Sequence, residues 1–464
     1  MKVITFLIFS ILAGNGYSQD VLIRNINVIN VMTGQIEYDK TILVSDKKIK
    51  QISSGPIQIK NTRTVNGKGK FLIPGLWDMH VHTVDSSYLE LFIINGVTGI
   101  RDMGGAAVNS NNGCESIGYE KLMNWRKLIN SGLLTGPRIL ISGPPVSNTG
   151  WATSINIQTP EDARNAVKKL KSLGVDFIKV YEKIPLDAYK ALAKEAKVAG
   201  LSIAGHVPIE TVSLIEAAEA GQRSIEHIRD PLLMCFTSNR EELLHFFYED
   251  NWSKSDIEWG LLQYDKCPGT IEALKKYKTW LVPTLTVEKA KVAISDPKFV
   301  NDERRRILPK SVQQGFEDYV AKKLSLSTVD KKSDSSWWLR QKLLVTRMHT
   351  EGIGFMAGTD CACEGGLPGN SLHNELRLFV EAGFSPLEAL QTATINPAMY
   401  LKATDSLGII KEGKNADLVI LNQNPLLDIA ATESIYAVIQ NGQLITYRQI
   451  TRIKRDLKKK KNIR

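Results

Sequence analysis

The chain has 464 residues, 43% hydrophobic and 23% charged, the balance of folded globular protein. That length accommodates one large catalytic domain with a smaller one beside it, and the composition excludes both a disordered chain and a polytopic membrane protein. The net charge of +10 is concentrated at one end, where residues 448–464 hold nine Lys or Arg against the single acid Asp456, so the body is nearly neutral and no nucleic-acid partner is expected.

Residues 1–18 carry Lys2, the apolar run Val3 to Ala13, and the small residues Gly16 and Ser18. This is the pattern of a cleavable signal peptide, and the apolar run is too short to span a bilayer, so an exported protein, periplasmic or secreted, is expected. Gln19 and Asp20 follow the cut instead of a lipidated Cys.

Residues 19–73 read as short alternating strands, such as Val21-Leu22-Ile23 and Thr41-Ile42-Leu43-Val44, broken at Asp46-Lys47-Lys48. They form the first part of a small β-sandwich. Between 74 and 404, apolar β-branched runs alternate with amphipathic helical segments. Seven runs, Val97 to Arg101, Arg138 to Ser142, Phe177 to Tyr181, Leu201 to His206, Ser224 to His227, Trp280 to Thr284 and Gly354 to Asp360, join the strand carrying His80 and His82. Eight strands separated by helices predict an α/β fold, a (β/α)8 TIM barrel. Residues 405–447 return to β character and complete the sandwich from the other chain end. Residues 448–464 read as a solvated, frayed basic tail, capable at most of weak contact with an anionic surface.

His80 and His82 stand at i and i+2 at the end of a strand, so both imidazoles point to one face and can reach one metal ion. The spacing of other ligand types strengthens this reading. A barrel allots about 31 residues to each βα unit. Lys179 lies 97 residues after His82, His206 lies 27 further, His227 another 21, and Asp360 another 133. These positions fall at the ends of strands one, four, five, six and eight, all on one rim, with insertions expected around strand seven.

Neutral imidazoles and a carboxylate suit zinc, with manganese and cobalt as alternatives. Lysine is a poor ligand as a cation, but carboxylation makes it an anionic carbamate that can bridge two metals. Two such ions would acidify a shared water and polarise a carbonyl, and Asp360 could take the proton.

These residues resemble the amidohydrolase superfamily, through Ile73-Pro74-Gly75-Leu76-Trp77-Asp78-Met79-His80-Val81-His82, Phe177-Ile178-Lys179-Val180-Tyr181, Gly205-His206, Glu226-His227 and Gly358-Thr359-Asp360. Ala393-Thr394-Ile395-Asn396-Pro397-Ala398 and the run Leu407 to Val419 extend the match over about residues 20–445. The chain is most similar to the branch with imidazolonepropionase-related hydrolases, Xaa-Pro dipeptidases and ochratoxin-type amidases. The resemblance implies that His80, His82 and Asp360 bind the more buried ion, His206 and His227 the second, and carboxylated Lys179 both. It implies that Tyr181 contacts the substrate carbonyl; His373 and Arg101 are candidates to hold a substrate carboxylate. Imidazolonepropionase lacks the lysine, which places the chain on the binuclear side.

The expected activity is hydrolysis of the amide bond of an Xaa-Pro-like dipeptide or N-acyl amino acid. The alternatives are hydrolysis of a cyclic amide, lactone or other ester, and a catalytically idle barrel that only binds a ligand; homo-oligomer formation stays open. Five cysteines, an odd number, leave one unpaired unless it bridges chains, and Cys361 and Cys363 beside Asp360 are expected to pack their loop. His245 and His349 are expected at the surface or in packing, and Trp337-Trp338 in helix packing.

Overall fold

The computed structural model describes residues 20–105, 116–150, 153–236, 267–325 and 328–460. The expected signal segment and His245 lie outside these residues. Strands β1 (Val21–Ile29), β2 (Ile36–Ser45), β3 (Lys48–Ser53), β4 (Arg63–Asn66) and β5 (Phe71–Pro74) come from one chain end. Parallel strands follow: β6 (Leu76–Val81), β7 (Val97–Asp102), β8 (Arg138–Ile141), β9 (Val146–Ser147), β10 (Ile155–Asn156), β11 (Phe177–Val180), β12 (Ser202–Gly205), β13 (Ser224–Glu226) and β14 (Trp280–Val282). The other end supplies β15 (Leu418–Leu421), β16 (Ile435–Gln440) and β17 (Gln443–Thr446).

The terminal strands make one eight-stranded sheet in the order β17-β16-β15-β5-β1-β2-β3, with β4 also on β1. The junction is β5, which runs parallel to β1 through Val28↔Leu72 and antiparallel to β15 through Ile420↔Leu72, so a single strand joins the two chain ends. Alternation puts Ile23, Val44, Leu72, Ile420 and Ile439 into a core of their own, while Ile73 and Val419 pack into the main core. Arg138 Nε donates to Asp417 Oδ2 at 2.6 Å and further ties this sheet to the parallel strands.

The parallel strands run β6-β7-β8 and β10-β9-β11-β12-β13-β14, each separated from the next by helix or loop, making a mixed α/β fold. The predicted strand at Gly354 to Asp360 is present only as single bridges, Leu281↔Phe355 and Val81↔Cys361. Its backbone is nonetheless engaged on both sides: Met356 N donates to Leu281 O at 2.9 Å, and Met79 N to Ala357 O at 2.8 Å. Trp77, Met79, Val282 and Met356 form an apolar cluster among these strands. Each such fully buried side chain contributes about 1.5–3 kcal/mol relative to exposure.

Local chemistry fixes where the intervening helices start. Thr159 with Asp162, Ser213 with Glu216 and Ser385 with Glu388 form reciprocal capping boxes, and Pro160 and Pro386 occupy the first turn, where a missing N–H costs nothing. The expected insertions flank β14 and include the helices Lys310–Leu324 and Thr328–Thr350. Trp338 packs there at 8% exposure, and His349 stacks on Phe384 at 3.7 Å.

The basic tail is not frayed over its described length. Residues Tyr447–Lys460 form a helix whose Ile450 and Leu457 are 2% and 5% exposed in the main core. Their seven-residue spacing places both on one helix face, leaving Arg448, Arg452 and Arg455 outside.

Cys235 and Cys267 form a disulfide, which the sequence reading did not assign. Cys363 is also disulfide-bonded, its partner outside the described residues, so it does more than pack its loop. Cys361 is buried and free.

Candidate metal centre

The pleat of β6 does what the sequence requires of it. His80 is fully buried inside the strand, His82 sits just past its end, and their rings lie 5.6 Å apart. His227 follows β13, and its ring centroid is 4.8 Å from His80 and 4.8 Å from His206. The ring of Tyr181, just past β11, lies 4.2 Å from that of His206 at a tilt of 45°, and Lys179 Nζ lies 5.2 Å from the Tyr181 ring. Asp360 Oδ1 is 3.3 Å from His80 Nε2 and 3.1 Å from His82 Nε2. All six expected metal ligands and Tyr181 are therefore in one place.

Glycines clear the backbone here. At Gly205 φ is +129°, and a Cβ would lie 2.2 Å from Val180 O, so only glycine lets β12 deliver His206 this close to β11. At Gly358 a Cβ would lie 2.8 Å from that of His80. By contrast His227, Thr284 and Asp360, none of them glycine, have φ of 64°, 50° and 54°. Such left-handed conformations persist only where surrounding structure enforces them.

Outer partners set the ring orientations. His80 Nδ1 donates to Glu226 Oε2 at 2.9 Å, and His227 Nδ1 lies 2.7 Å from Thr284 Oγ1, which leaves each Nε2 for a ligand. Asp78 accepts from the Thr359 hydroxyl at 2.7 Å and its N–H at 3.0 Å, holding the segment that leads into Asp360.

Burial dominates the electrostatics. It lowers the Lys179 ammonium from its ordinary 10.5, with the Asp360 and Glu226 charges opposing, and drops His206 well below the usual imidazole range, helped by His227. It also pushes His227 down to about 3 and Asp78 up to about 7. Burial opposes the charge of Asp360 as well, but His80 and His82 overcome it and hold the carboxyl well below its ordinary value. The imidazoles of His206 and His227 are thus kept neutral and Asp360 ionised, the protonation states a cation needs.

The donor set fits divalent metal. Ligand atoms of His80, His227 and Asp360 lie within 4.8 Å of one another. The buried His206 Nδ1 makes no hydrogen bond in this structure, a cost of about 1–3 kcal/mol that a bound cation would remove, and His80 Nε2 faces only the Asp360 carboxylate. A second group joins His82, Asp360 and Cys363, but a disulfide sulfur is no thiolate ligand.

Two expectations fail. Arg101 is 1% exposed and spends its guanidinium inside the protein, on Glu226 at 2.7 Å, Ser224 at 2.9 Å, Tyr400 at 3.0 Å and Met79 O at 2.6 Å. It compensates a buried carboxylate and is not placed to clamp that of a substrate. His373 is fully buried, between Thr432 Oγ1 at 2.9 Å and Asn95 O at 3.1 Å, and burial lowers it to about 4. Both ring nitrogens are occupied by packing partners. The residues the sequence reading missed, Asp78, Glu226 and Thr284, carried one usable signal: ionisable side chains within apolar strands require partners, and Arg101 and Glu226 are such a complementary pair.

Comparison with known proteins agrees with this picture. The model of the Amidohydrolase family matches residues 71–445. An adenine deaminase of Clostridium botulinum is 21% identical over 92% of this chain, which spans 57% of that relative's length. An ochratoxinase of Aspergillus niger is 22% identical over 86% of this chain and 80% of its own. Among solved structures, a putative prolidase from Bifidobacterium longum aligns over 95% of this chain and 99% of its own, with a TM-score of 0.66 at 23% identity, a likeness of fold. With the family's model matched over most of this chain, the chain belongs to the amidohydrolase family.

Proposed function

We propose that this protein is an exported, binuclear metal-dependent hydrolase of a dipeptide, Xaa-Pro-like, or of an N-acyl amino acid, built on a closed (β/α)8 barrel. The observation that carries the reading is the meeting of His80, His82, Lys179, His206, His227 and Asp360 at the ends of parallel strands. The hydrogen bonds linking Gly354 to Cys361 with both β14 and β6 support closure. The name of the prolidase neighbour favours peptides.

His80, His82 and Asp360 would hold one ion and His206 and His227 the other, with carboxylated Lys179 shared between them. Two bound zinc ions, or manganese or cobalt, would acidify a water and polarise the scissile carbonyl. Asp360, kept ionised by its histidines, takes a proton from the attacking water and returns it to the leaving nitrogen. Tyr181 stays protonated because burial raises its phenol, so its hydroxyl is a donor for the developing oxyanion. Glu226 and Thr284 keep His80 and His227 in place throughout.

The test is a rate screen of dipeptides, N-acyl amino acids and lactones on protein reconstituted with zinc, manganese or cobalt, with metal content measured in parallel. Two equivalents of metal and amide cleavage are expected. Turnover of lactones alone would sink the peptide assignment, and less than one equivalent with no stability change on chelation would favour the idle barrel.

A further inference from the structure

The turn that carries Asp360 also carries a sulfur beside it. Cys363 N donates to Asp360 O at 2.8 Å, and Gly366 N donates to Cys363 O at 2.9 Å. From the neighbouring strand His82 N donates to Cys361 O at 2.5 Å. Gly365 O accepts from Arg305 Nε at 2.9 Å, and that guanidinium is itself packed between the rings of Phe299, at 4.4 Å, and Phe316, at 4.2 Å. These bonds to the backbone hold Cys363 against Asp360 and His82 whatever the state of its sulfur.

One ligand atom each of His82, Asp360 and Cys363 lies within 4.8 Å of the other two. A tetrahedral ion about 2.3 Å from sulfur and about 2.0–2.2 Å from nitrogen or oxygen sets such atoms about 3.5 Å apart, a difference that one χ1 rotation of the cysteine covers. Asp360 Oδ1 is also faced at 3.3 Å by the fully buried His80 Nε2, which makes no hydrogen bond. The side chains of His82 and Asp360 are 16% and 11% exposed, so the group reaches solvent although Cys363 itself is buried. What separates it from a metal site is the bond on Cys363: a disulfide sulfur is neutral, whereas the thiolate is the form that ligates.

We propose that Cys363 is a latent metal ligand, and that reduction of its disulfide completes a zinc site of one imidazole, one carboxylate and one thiolate from His82, Asp360 and Cys363. A dithiol supplies the two electrons and two protons: it leaves as a cyclic disulfide, and Cys363 and its partner become thiols. Binding the cation releases the Cys363 proton to solvent, and the sulfur provides the electron pair of the new bond. The thiolate then takes a coordination position that a hydrolytic centre keeps open for water, so the oxidised chain is the competent one. The inference rests on metal binding at this centre and not on the choice of substrate.

The experiment loads cobalt onto oxidised and dithiothreitol-reduced wild type and onto Cys363→Ala, with free thiols counted in each, and reads the absorption spectrum and, by chelator competition, the affinity. Reduced wild type should gain the near-ultraviolet charge-transfer band of a thiolate–cobalt bond and hold the ion at least about tenfold more tightly, since an outer partner alone is worth that much. Oxidised wild type should lack the band, although Cys361 is a free thiol in both states. Cys363→Ala should give one spectrum with and without reductant; the Cys235–Cys267 bond is open to reduction in both proteins, so the contrast reports Cys363. Identical spectra of cobalt-loaded oxidised and reduced wild type, or a band that persists in reduced Cys363→Ala, overturn the inference and leave the metal centre standing. Cobalt bound in neither state overturns both. If Cys363→Ala does not fold, the cadmium NMR resonance of wild type decides: a downfield shift on reduction upholds the thiolate ligand, and an unmoved resonance overturns it.

Discussion

His80 Nδ1 donates to Glu226 Oε2 at 2.9 Å, and the other oxygen of that carboxylate accepts from Arg101 at 2.7 Å. Burial opposes the charge on Glu226, but Arg101 and His80 reverse it and hold the acid at about 2. Arg101, His80 and the ligand position therefore act as one line. Glu226→Gln should lower metal affinity by about 10- to 100-fold with the fold retained. Arg101→Met should instead destabilise the protein by about 3–5 kcal/mol, because it strands a buried carboxylate. Chelator competition and denaturant unfolding separate the two; an Arg101→Met protein as stable as wild type would refute the arrangement.

Burial lowers the Lys179 ammonium, which enlarges the neutral fraction that can react with CO2. Lys179→Ala should bind at most one equivalent of metal and lose at least about a hundredfold in rate, beyond the cost of an outer partner. Elemental analysis of the variant is the check, and two retained equivalents would remove Lys179 from the centre.

Glu375 reaches across to the start of the helix Leu285–Ala293, accepting from Leu285 N at 2.9 Å and from Thr286 N at 2.7 Å. Burial outweighs these bonds and lifts its carboxyl from 4.5 to about 8. The folded value exceeds the unfolded one, so the stabilising contribution is full below about pH 4.5, declines as pH rises, and is gone above about pH 8. Its limiting slope is about 1.4 kcal/mol per pH unit. Unfolding free energies at pH 5, 6.5 and 8 should show this decline in wild type and a flatter profile in Glu375→Gln; identical profiles would refute it.

The basic C-terminal segment should behave as part of the core. Ile450→Ala should cost about 2–5 kcal/mol, the usual range for a buried aliphatic truncation. Trypsin should cut slowly at Arg452 and Arg455 in wild type and readily in Ile450→Ala. Rapid cleavage of the wild type there would restore the frayed tail.

The candidate metal ligands were legible as a group because their chemistry repeats at a structural period. His80 and His82 share a strand face, and Lys179, His206, His227 and Asp360 recur at strand ends. Arg101 was misread for a related reason: a strand end looks the same from sequence whether the side chain faces substrate or a buried acid, and only its pairing with Glu226 decides. His373 failed similarly, since a histidine on a helix does not announce partners 59 and 278 residues away. The terminal helix was hidden by composition, because two apolar anchors among nine basic residues look like solvent-facing chain until something covers them.

His227, Thr284 and Asp360 occupy left-handed backbone at the ends of neighbouring strands, and a β-branched threonine there is a genuine outlier. Asparagine or glycine would relax positions 227 and 284 by about 1–3 kcal/mol each. The chain thus carries an imidazole and a hydroxyl where the backbone least favours them, and substitutions chosen for stability alone would act on this rim first. For an engineer, the easiest route to a hardier protein therefore leads through the residues of the candidate metal centre.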